Sequence, residues 1–297
     1  MRTIYLHDFN QGVVTIPVLP GGEFHPQHYL VQPSDDTVSI VTRLKNGDDV
    51  LRLLTVTNAI KNTTQANIEL IIPYIPGGRQ DRISNKGEAF TLKVYADLIN
   101  SQNYTKVSVY DPHSDVTPAL INNCVVKSLY HIMRPLLSGY DTIFVPDAGA
   151  AKKIYNYYLK NIGWKGNIIQ CLKKRDTATG YLSGFEVVLL PNDDIRLGKC
   201  IILDDICDGG GTFVGLAEEI QRYQTFGLDS LDLYVTHGIF SKGFTQLFNW
   251  FDKIYTTTSW DSVKNYQRQF VIREAEFPNR NIEYHQNLNR LKVFDIL

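Results

Sequence analysis

The sequence predicts an α/β protein of two similar halves, each a mostly parallel sheet flanked by helices. Three observations carry this. Short, continuous, β-branched apolar segments alternate with stretches of helical periodicity, the pattern of strands buried on both faces. Polar and glycine-rich segments follow directly after those apolar runs, where open α/β sheets bind their ligands. The 297 residues also suit two domains of ~100–200 residues each.

Along the chain, residues 38–41 are β-branched and apolar, and Asn46-Gly47-Asp48-Asp49 then offers turn and capping residues before the helical stripe of Val50, Leu53 and Leu54. Residues 68–72 form the next strand. Leu92, Tyr95, Ala96 and Ile99 stand at i, i+3, i+4 and i+7, one face of a helix, and residues 107–110 give another strand. The second half repeats the scheme, with strands expected at 143–145, 168–170, 187–190, 201–203 and 231–235 and helices over 150–160 and 214–223. This rhythm places the domains at 1–135 and 136–276.

Apolar residues make up 43% and charged residues 21%, as in ordinary folded domains. Thirty basic and 31 acidic residues leave a net charge of −1, with no global field to attract nucleic acid or an anionic membrane. No apolar run approaches the ~18 residues of a membrane span, and the first eight residues lack a signal-peptide core, so a cytoplasmic location is expected. Cys124, Cys171, Cys200 and Cys207 are widely spaced and read as core thiols, Cys207 as a small residue packed between carboxylates. His25 and His28 form an HxxH pair, but Pro26 argues against the helix that metal binding would need.

Five polar segments follow apolar strands: residues 79–82, 111–115, Asp147, 173–175 and 204–212. They are expected to line one cleft. The most informative is Asp204-Asp205-Ile206-Cys207-Asp208-Gly209-Gly210-Gly211-Thr212, a buried strand running into acids, three glycines and a helix. The glycines let backbone N–H groups turn toward a ligand, and the helix start favours an anion, which together make a phosphate cradle. Asp204, Asp205 and Asp208 would repel a phosphate, so they are read as acceptors for sugar hydroxyls or as reaching Mg²⁺. Phosphate plus polyol describes a ribose phosphate. The glycine spacing fits neither GxxxxGK[ST] nor GxGxxG.

This segment is similar to the phosphoribosyl pyrophosphate (PRPP) motif, and four further segments match, in order, those of ribose-phosphate diphosphokinases (PRPP synthetases). These are Pro73-Tyr74-Ile75-Pro76-Gly77-Gly78-Arg79-Gln80-Asp81-Arg82, Asp111-Pro112-His113-Ser114-Asp115, Pro146-Asp147-Ala148-Gly149-Ala150-Ala151-Lys152-Lys153 and Thr236-His237-Gly238-Ile239-Phe240-Ser241. The chain therefore resembles a divergent member of that family. The resemblance implies two phosphoribosyltransferase-like domains, with a tail at 277–297 packing back on the first. It implies Mg²⁺-dependent transfer of the β,γ-diphosphate of ATP to the anomeric hydroxyl of ribose 5-phosphate, in a homo-oligomer (dimer or hexamer). Lys173 and Arg175 take the catalytic places on a mobile loop, followed by a lid at 177–184. Glu23, Arg79, Gln80 and His113 take the ATP-binding places, and His113 and Asp147 the metal-binding ones. Asp204, Asp205, Asp208, Gly209, Gly210, Gly211 and Thr212 take the ribose-phosphate site.

Two departures matter. Leu19-Pro20-Gly21-Gly22-Glu23 stands where the family reads Phe-Ser-Asp-Gly-Glu, so an adenine-stacking aromatic and a carboxylate are missing, with Phe24 available in a shifted role. Gly209 stands where Thr is common, which removes a hydroxyl donor and is expected to open space for a larger ester such as ADP-ribose. A non-catalytic regulatory subunit is a further alternative, opposed by the retention of Lys173, Arg175, His113 and Asp147.

Overall fold

The computed structural model describes residues 1–8, 13–27, 31–175, 182–187, 195–275 and 289–296. It divides into two compact units, one of Met1–Lys127 with Ser259–Ser262, the other of Ser128–Thr258 with Val263–Ile296. Residue 135 lies inside a helix of the second unit.

The first unit runs β1 (Arg2–Tyr5), β2 (Thr37–Val41), α1 (Gly47–Thr63), β3 (Asn67–Ile72), α2 (Thr91–Asn100), β4 (Lys106–Tyr110), α3 (Val116–Leu120) and β5 (Cys124–Lys127). Its five strands lie in sequential order and are all parallel. Val38, Ile40, Leu70, Ile72, Val107 and Val109 are buried with Leu53, Val56 and Ile60 of α1 and Leu92, Ala96 and Ile99 of α2 in one core. Each such side chain contributes roughly 1.5–3 kcal/mol through burial. Helix α1 starts where the sequence places it: the extended Asn46 accepts from the Asp49 N–H at 3.0 Å, and Asp48 and Asp49 complement the helix dipole.

The second unit runs α4 (Tyr130–Leu137), β6 (Thr142–Val145), α5 (Ala148–Ile154), α6 (Lys160–Ile162), β7 (Asn167–Arg175), β8 (Leu182–Val187), β9 (Gly198–Cys207), α7 (Gly211–Gln221), β10 (Leu228–Gly238), α8 (Thr245–Phe248), β11 (Ile254–Thr257), α9 (Val263–Ala275) and β12 (Leu291–Phe294). The strand order is β12-β11-β10-β9-β6-β7-β8, parallel except for the β7–β8 pair. A π-helical turn at Tyr155–Leu159 joins α5 to α6, so the helix expected over 150–160 is interrupted.

Four expectations are corrected. Residues 173–175 are not loop: they continue β7, with Lys173 opposite Phe185 in an antiparallel hairpin. The strand expected at 187–190 is instead β8, ending at Val187, while residues 188–190 lie outside the described residues. Phe185 and Val187 are buried and Glu186 is exposed, a period-two alternation that ties the hairpin to the core. Of the expected lid, 177–181 lie outside the described residues and 182–184 belong to β8. Finally, residues 291–294 of the tail pair in parallel with β11 at the edge of the second sheet, with Leu291 in that unit's core. Residues 276–288 lie outside the described residues.

Asn46→Ala removes the α1 cap and is expected to destabilise the protein by about 1 kcal/mol. A urea melt should show a lower midpoint at unchanged slope.

Candidate functional site

The second sheet reverses its order at β6, which has β7 on one side and β9 on the other. Loops leaving the carboxyl ends of two such strands diverge and leave a crevice. Asp147 follows β6 and the acid-glycine segment follows β9, so both stand at this reversal.

Residues 200–203 of β9 are buried apolar positions, and the strand ends in carboxylates. Asp205 is only 6% exposed, and its Oδ2 lies 3.2 Å from Nζ of Lys153 on α5. A carboxylate at that depth needs such a cation. Asp204 is half-buried, and its Oδ1 accepts from the Asp205 N–H at 2.9 Å. Gly210 has φ +80°, the left-handed region that glycine adopts without strain, and a Cβ there would stand 3.2 Å from Cδ2 of Leu247. The chain then enters α7, whose first amides, from Gly211 and Thr212, have no acceptor within a helix. Asp147 is the N-cap of α5: its Oδ1 accepts from the Ala150 N–H at 2.9 Å.

The exit of β10 forms the other side of the loop. Ile239 and Phe240 N–H donate to the Cys207 carbonyl at 2.8 and 3.1 Å, and Ser241 N–H donates to that of Asp208 at 3.1 Å. This turn lays Lys242 on the glycines. A Cβ on Gly209 would lie 3.4 Å from Cδ and Cε of Lys242. The space that the sequence leaves beside Gly209 is thus bordered by the lysine methylenes at ordinary contact distance. Cys207 itself is buried, and burial, then the nearby Asp204 and Asp208 carboxylates, push its thiol pKa up, as fits a packed core thiol.

In the first unit, Gly77 (φ +74°) turns the chain after β3, and a Cβ there would approach the Leu92 nitrogen to 2.9 Å. The Gln80 N–H donates to the Gly77 carbonyl at 2.8 Å, and the Gln80 carbonyl accepts from the Leu92 N–H at the start of α2. Arg79 and Gln80 are thereby presented at the surface. A Cβ on Gly78 would lie 3.7 Å from Cβ of His113, so the loops after β3 and β4 meet.

Asp81, to which the sequence reading gave no role, is 5% exposed. Its Oδ1 accepts from Arg82 Nε at 2.9 Å, and its buried Oδ2 has no hydrogen-bond donor among the described residues. Burial opposes its ionisation, but Ser114, Arg82 and His113 together hold its carboxyl below the ordinary range. The one signal for it in the sequence was an acid set between arginines, in Arg79-Gln80-Asp81-Arg82.

Glu23 is exposed on a short hairpin, where Leu19 N–H donates to the Glu23 carbonyl at 2.8 Å. Among the described residues, no hydrogen bond or ion pair of its side chain joins it to Arg79 or His113. The Arg52 guanidinium lies 5.0 Å from the ring centroid of Phe24. His28 lies outside the described residues.

A hard divalent cation suits this chemistry in one respect: the buried anionic Oδ2 of Asp81, beside His113, calls for a cation or its water. Among the described residues no three acidic, histidine or cysteine side chains form a cage for a metal ion. Mg²⁺ is commonly held by one or two carboxylates together with substrate phosphates, which such a surface can supply. No helix of the described residues is long and apolar enough to cross a membrane.

Fold and loop define a two-unit α/β protein with an acid- and glycine-rich loop at a strand-order reversal. Residues 22–102 match the family model of the N-terminal domain of ribose phosphate pyrophosphokinase. The ribose-phosphate pyrophosphokinase of Ureaplasma parvum is 27% identical over 208 residues, 68% of this chain and 60% of that protein. That of Mycoplasmopsis pulmonis is 27% identical over 262 residues, 85% of this chain and 78% of its relative. The crystal structure of phosphoribosylpyrophosphate synthetase from Mycobacterium smegmatis superposes with a TM-score of 0.67, covering 87% of this chain and 89% of that one at 18% identity. The chain is therefore similar in sequence to ribose-phosphate pyrophosphokinases and in fold to a PRPP synthetase.

Lys153→Ala leaves Asp205 without its cation at depth and is expected to cost about 3 kcal/mol, recovered in part by adding Asp205→Asn, as measured by chemical denaturation. Burial pushes the Cys124 thiol up to about 11 and, with nearby carboxylates contributing, those of Cys171 and Cys200 up to about 12. At pH 8 the folded protein should therefore resist iodoacetamide, while the unfolded chain takes four adducts by mass. Rapid labelling of Cys207 in the folded protein would contradict this packing.

Proposed function

We propose that the protein transfers the β,γ-diphosphate of ATP to the 1-hydroxyl of ribose 5-phosphate, giving PRPP and AMP, with Mg²⁺ as cofactor. The observation that carries this reading is the Asp204–Thr212 segment at the β6/β9 reversal, with left-handed Gly210 leading into the first turn of α7. The match of residues 22–102 to the N-terminal domain of ribose phosphate pyrophosphokinase supports it from an independent part of the chain.

The sugar phosphate takes the amides of residues 209–212 and the Thr212 hydroxyl, with the dipole of α7 behind them. Asp204 and Asp208 accept hydrogen bonds from the ribose hydroxyls, and Asp205 is held in place by Lys153. Arg79 packs its guanidinium plane on adenine or pairs with phosphate, Gln80 and Glu23 accept or donate at the nucleoside, and His113 lies at the triphosphate.

In the transfer, the 1-hydroxyl oxygen bonds to the β-phosphorus as the bond from that phosphorus to the oxygen bridging toward the α-phosphorus breaks. AMP leaves with the bridging oxygen, and the hydroxyl proton passes to solvent. Such reactions rest on positioning and on charge stabilisation, so Lys173 and Arg175 are assigned to the charge of the moving diphosphate. Mg²⁺ would be held by His113 at the triphosphate and a second ion by Asp147 near the ribose, each supplying neutralisation of charge. The resemblance to the family carries the expectation of a homo-oligomer.

The alternative acceptor, ADP-ribose, drew its support from open space at Gly209. Lys242 borders that space, which favours the more compact and more highly charged phosphate monoester.

Incubation with ATP and Mg²⁺, offering ribose 5-phosphate or ADP-ribose separately, with products identified by mass, tests the reading. AMP and PRPP are expected with ribose 5-phosphate; absence of acceptor-dependent AMP with either sugar overturns it. Lys173→Ala should lower turnover by roughly 100-fold, and near-normal turnover would move catalysis elsewhere.

A further inference from the structure

Resting on the ribose-phosphate site just proposed, we infer that Lys242 is a further binding and specificity residue, its ammonium holding the phosphate monoester seated on residues 208–212. The methylenes of Lys242 lie against Gly209, at 3.4 Å from where a Cβ would stand, and the ammonium is one bond beyond the Cε that makes this contact. The placement is built into the backbone. The turn that carries Lys242 donates three hydrogen bonds to the carbonyls of Cys207 and Asp208, so turn and phosphate loop form one piece.

Phe240 in that turn has φ +48°, a conformation that a bulky residue holds only when its surroundings impose it. Its ring supplies the constraint, packed 4.5 Å from that of Phe244 and 6.0 Å from that of Tyr266, centroid to centroid. Gly243 follows with φ +69° and donates its N–H to the Phe240 carbonyl at 2.7 Å. The turn is thus closed at both ends of Lys242.

The electrostatics give this cation a task. The loop segment carries three carboxylates, and the deepest, Asp205, is matched by Lys153. A dianionic phosphate arriving among them meets neutral amides and a helix dipole, against repulsion from the acids. A lysine on the glycine face offsets that repulsion, and more strongly for a dianion than for the single charge of a phosphodiester. Its stem also borders the space that an esterified phosphate would need. Charge and shape therefore select the same ligand, a sugar bearing a terminal phosphate monoester.

The test measures ribose 5-phosphate binding by titration calorimetry without ATP, in wild type and in Lys242→Ala, Lys242→Met and Lys242→Arg, with thermal melts to establish folding. Alanine and methionine should each weaken binding about tenfold and flatten its salt dependence, and arginine should restore it. Methionine keeps a long apolar stem on Gly209, so wild-type affinity in Lys242→Met would reduce the lysine to packing and overturn the inference. In steady state, KM for ribose 5-phosphate should rise about tenfold with kcat and KM for ATP within twofold; a fall in kcat at unchanged KM overturns it too. The two readings fail separately. Wild-type protein that binds ribose 5-phosphate through Lys242 yet forms no AMP loses the diphosphokinase and keeps the lysine. Normal turnover with unchanged affinity in all three variants keeps the diphosphokinase and loses the lysine. Wild-type protein that binds neither ribose 5-phosphate nor inorganic phosphate loses both.

Discussion

The constraint on which the second unit's chemistry depends is the reversal of strand order at β6. Parallel strands must be joined by crossovers, and these keep one hand. A chain that moves outward from β6 to β7 and later returns to place β9 on the other side leaves the loops after β6 and β9 diverging. Asp147 and the acid-glycine segment occupy those two loops, and Lys153 of α5 reaches across to Asp205. The first sheet has no such reversal, its strands lying in chain order. Its loops are gathered by another device: Gly77 lets the loop after β3 approach α2 more closely than a residue with a side chain would.

Net charge says little about this protein, and local charge says much. Carboxylates crowd the loop proposed to seat a phosphate, and each is given a distinct setting. Asp205 is buried and ion-paired, the Asp204 carboxylate is turned to a backbone amide, and Asp147 is spent in part on a helix cap. Amides cannot repel a second anion and need no counterion, so a glycine loop at a helix start can bind a phosphate beside acids where a ring of side-chain cations would collapse onto them. Lys242, laid over that loop by the β10 turn, adds charge from outside the loop rather than within it.

Much of this was legible in the sequence because burial on both faces leaves a strong signal. The strands β2, β3, β4, β6, β9 and β10 have buried centres made of β-branched and aliphatic residues, and the polar clusters fall at their ends. The edges were harder. In β1 only Ile4 is buried, and β5 has no fully buried residue, so neither carries a continuous apolar run. The hairpin of β7 and β8 alternates at its end, and charged residues in Lys173-Lys174-Arg175 read as a loop because nothing in composition marks their pairing. Asp81 and Lys242 were beyond reach for a different reason. The meaning of a lone acid or lysine lies in what it touches, here an unsatisfied buried oxygen and a glycine face brought near by distant segments.

That Lys173 stands on a strand changes how its position is controlled. Its backbone is paired with that of Phe185, and the Phe185 ring closes on α7 at Gly215, where a Cβ would come within 3.2 Å of the ring. A larger residue at 215 would push the hairpin away. Helix α7 therefore does two things: its first turn presents the amides proposed to bind the sugar phosphate, and its next turn, through Gly215 and Phe185, packs on the strand that carries the proposed catalytic cations. Through that pairing the backbone position of Lys173 is referred to the same helix that is proposed to seat the acceptor, so the spacing between the proposed nucleophile and cation is set by strand pairing and by packing on α7 rather than by composition of the segment itself.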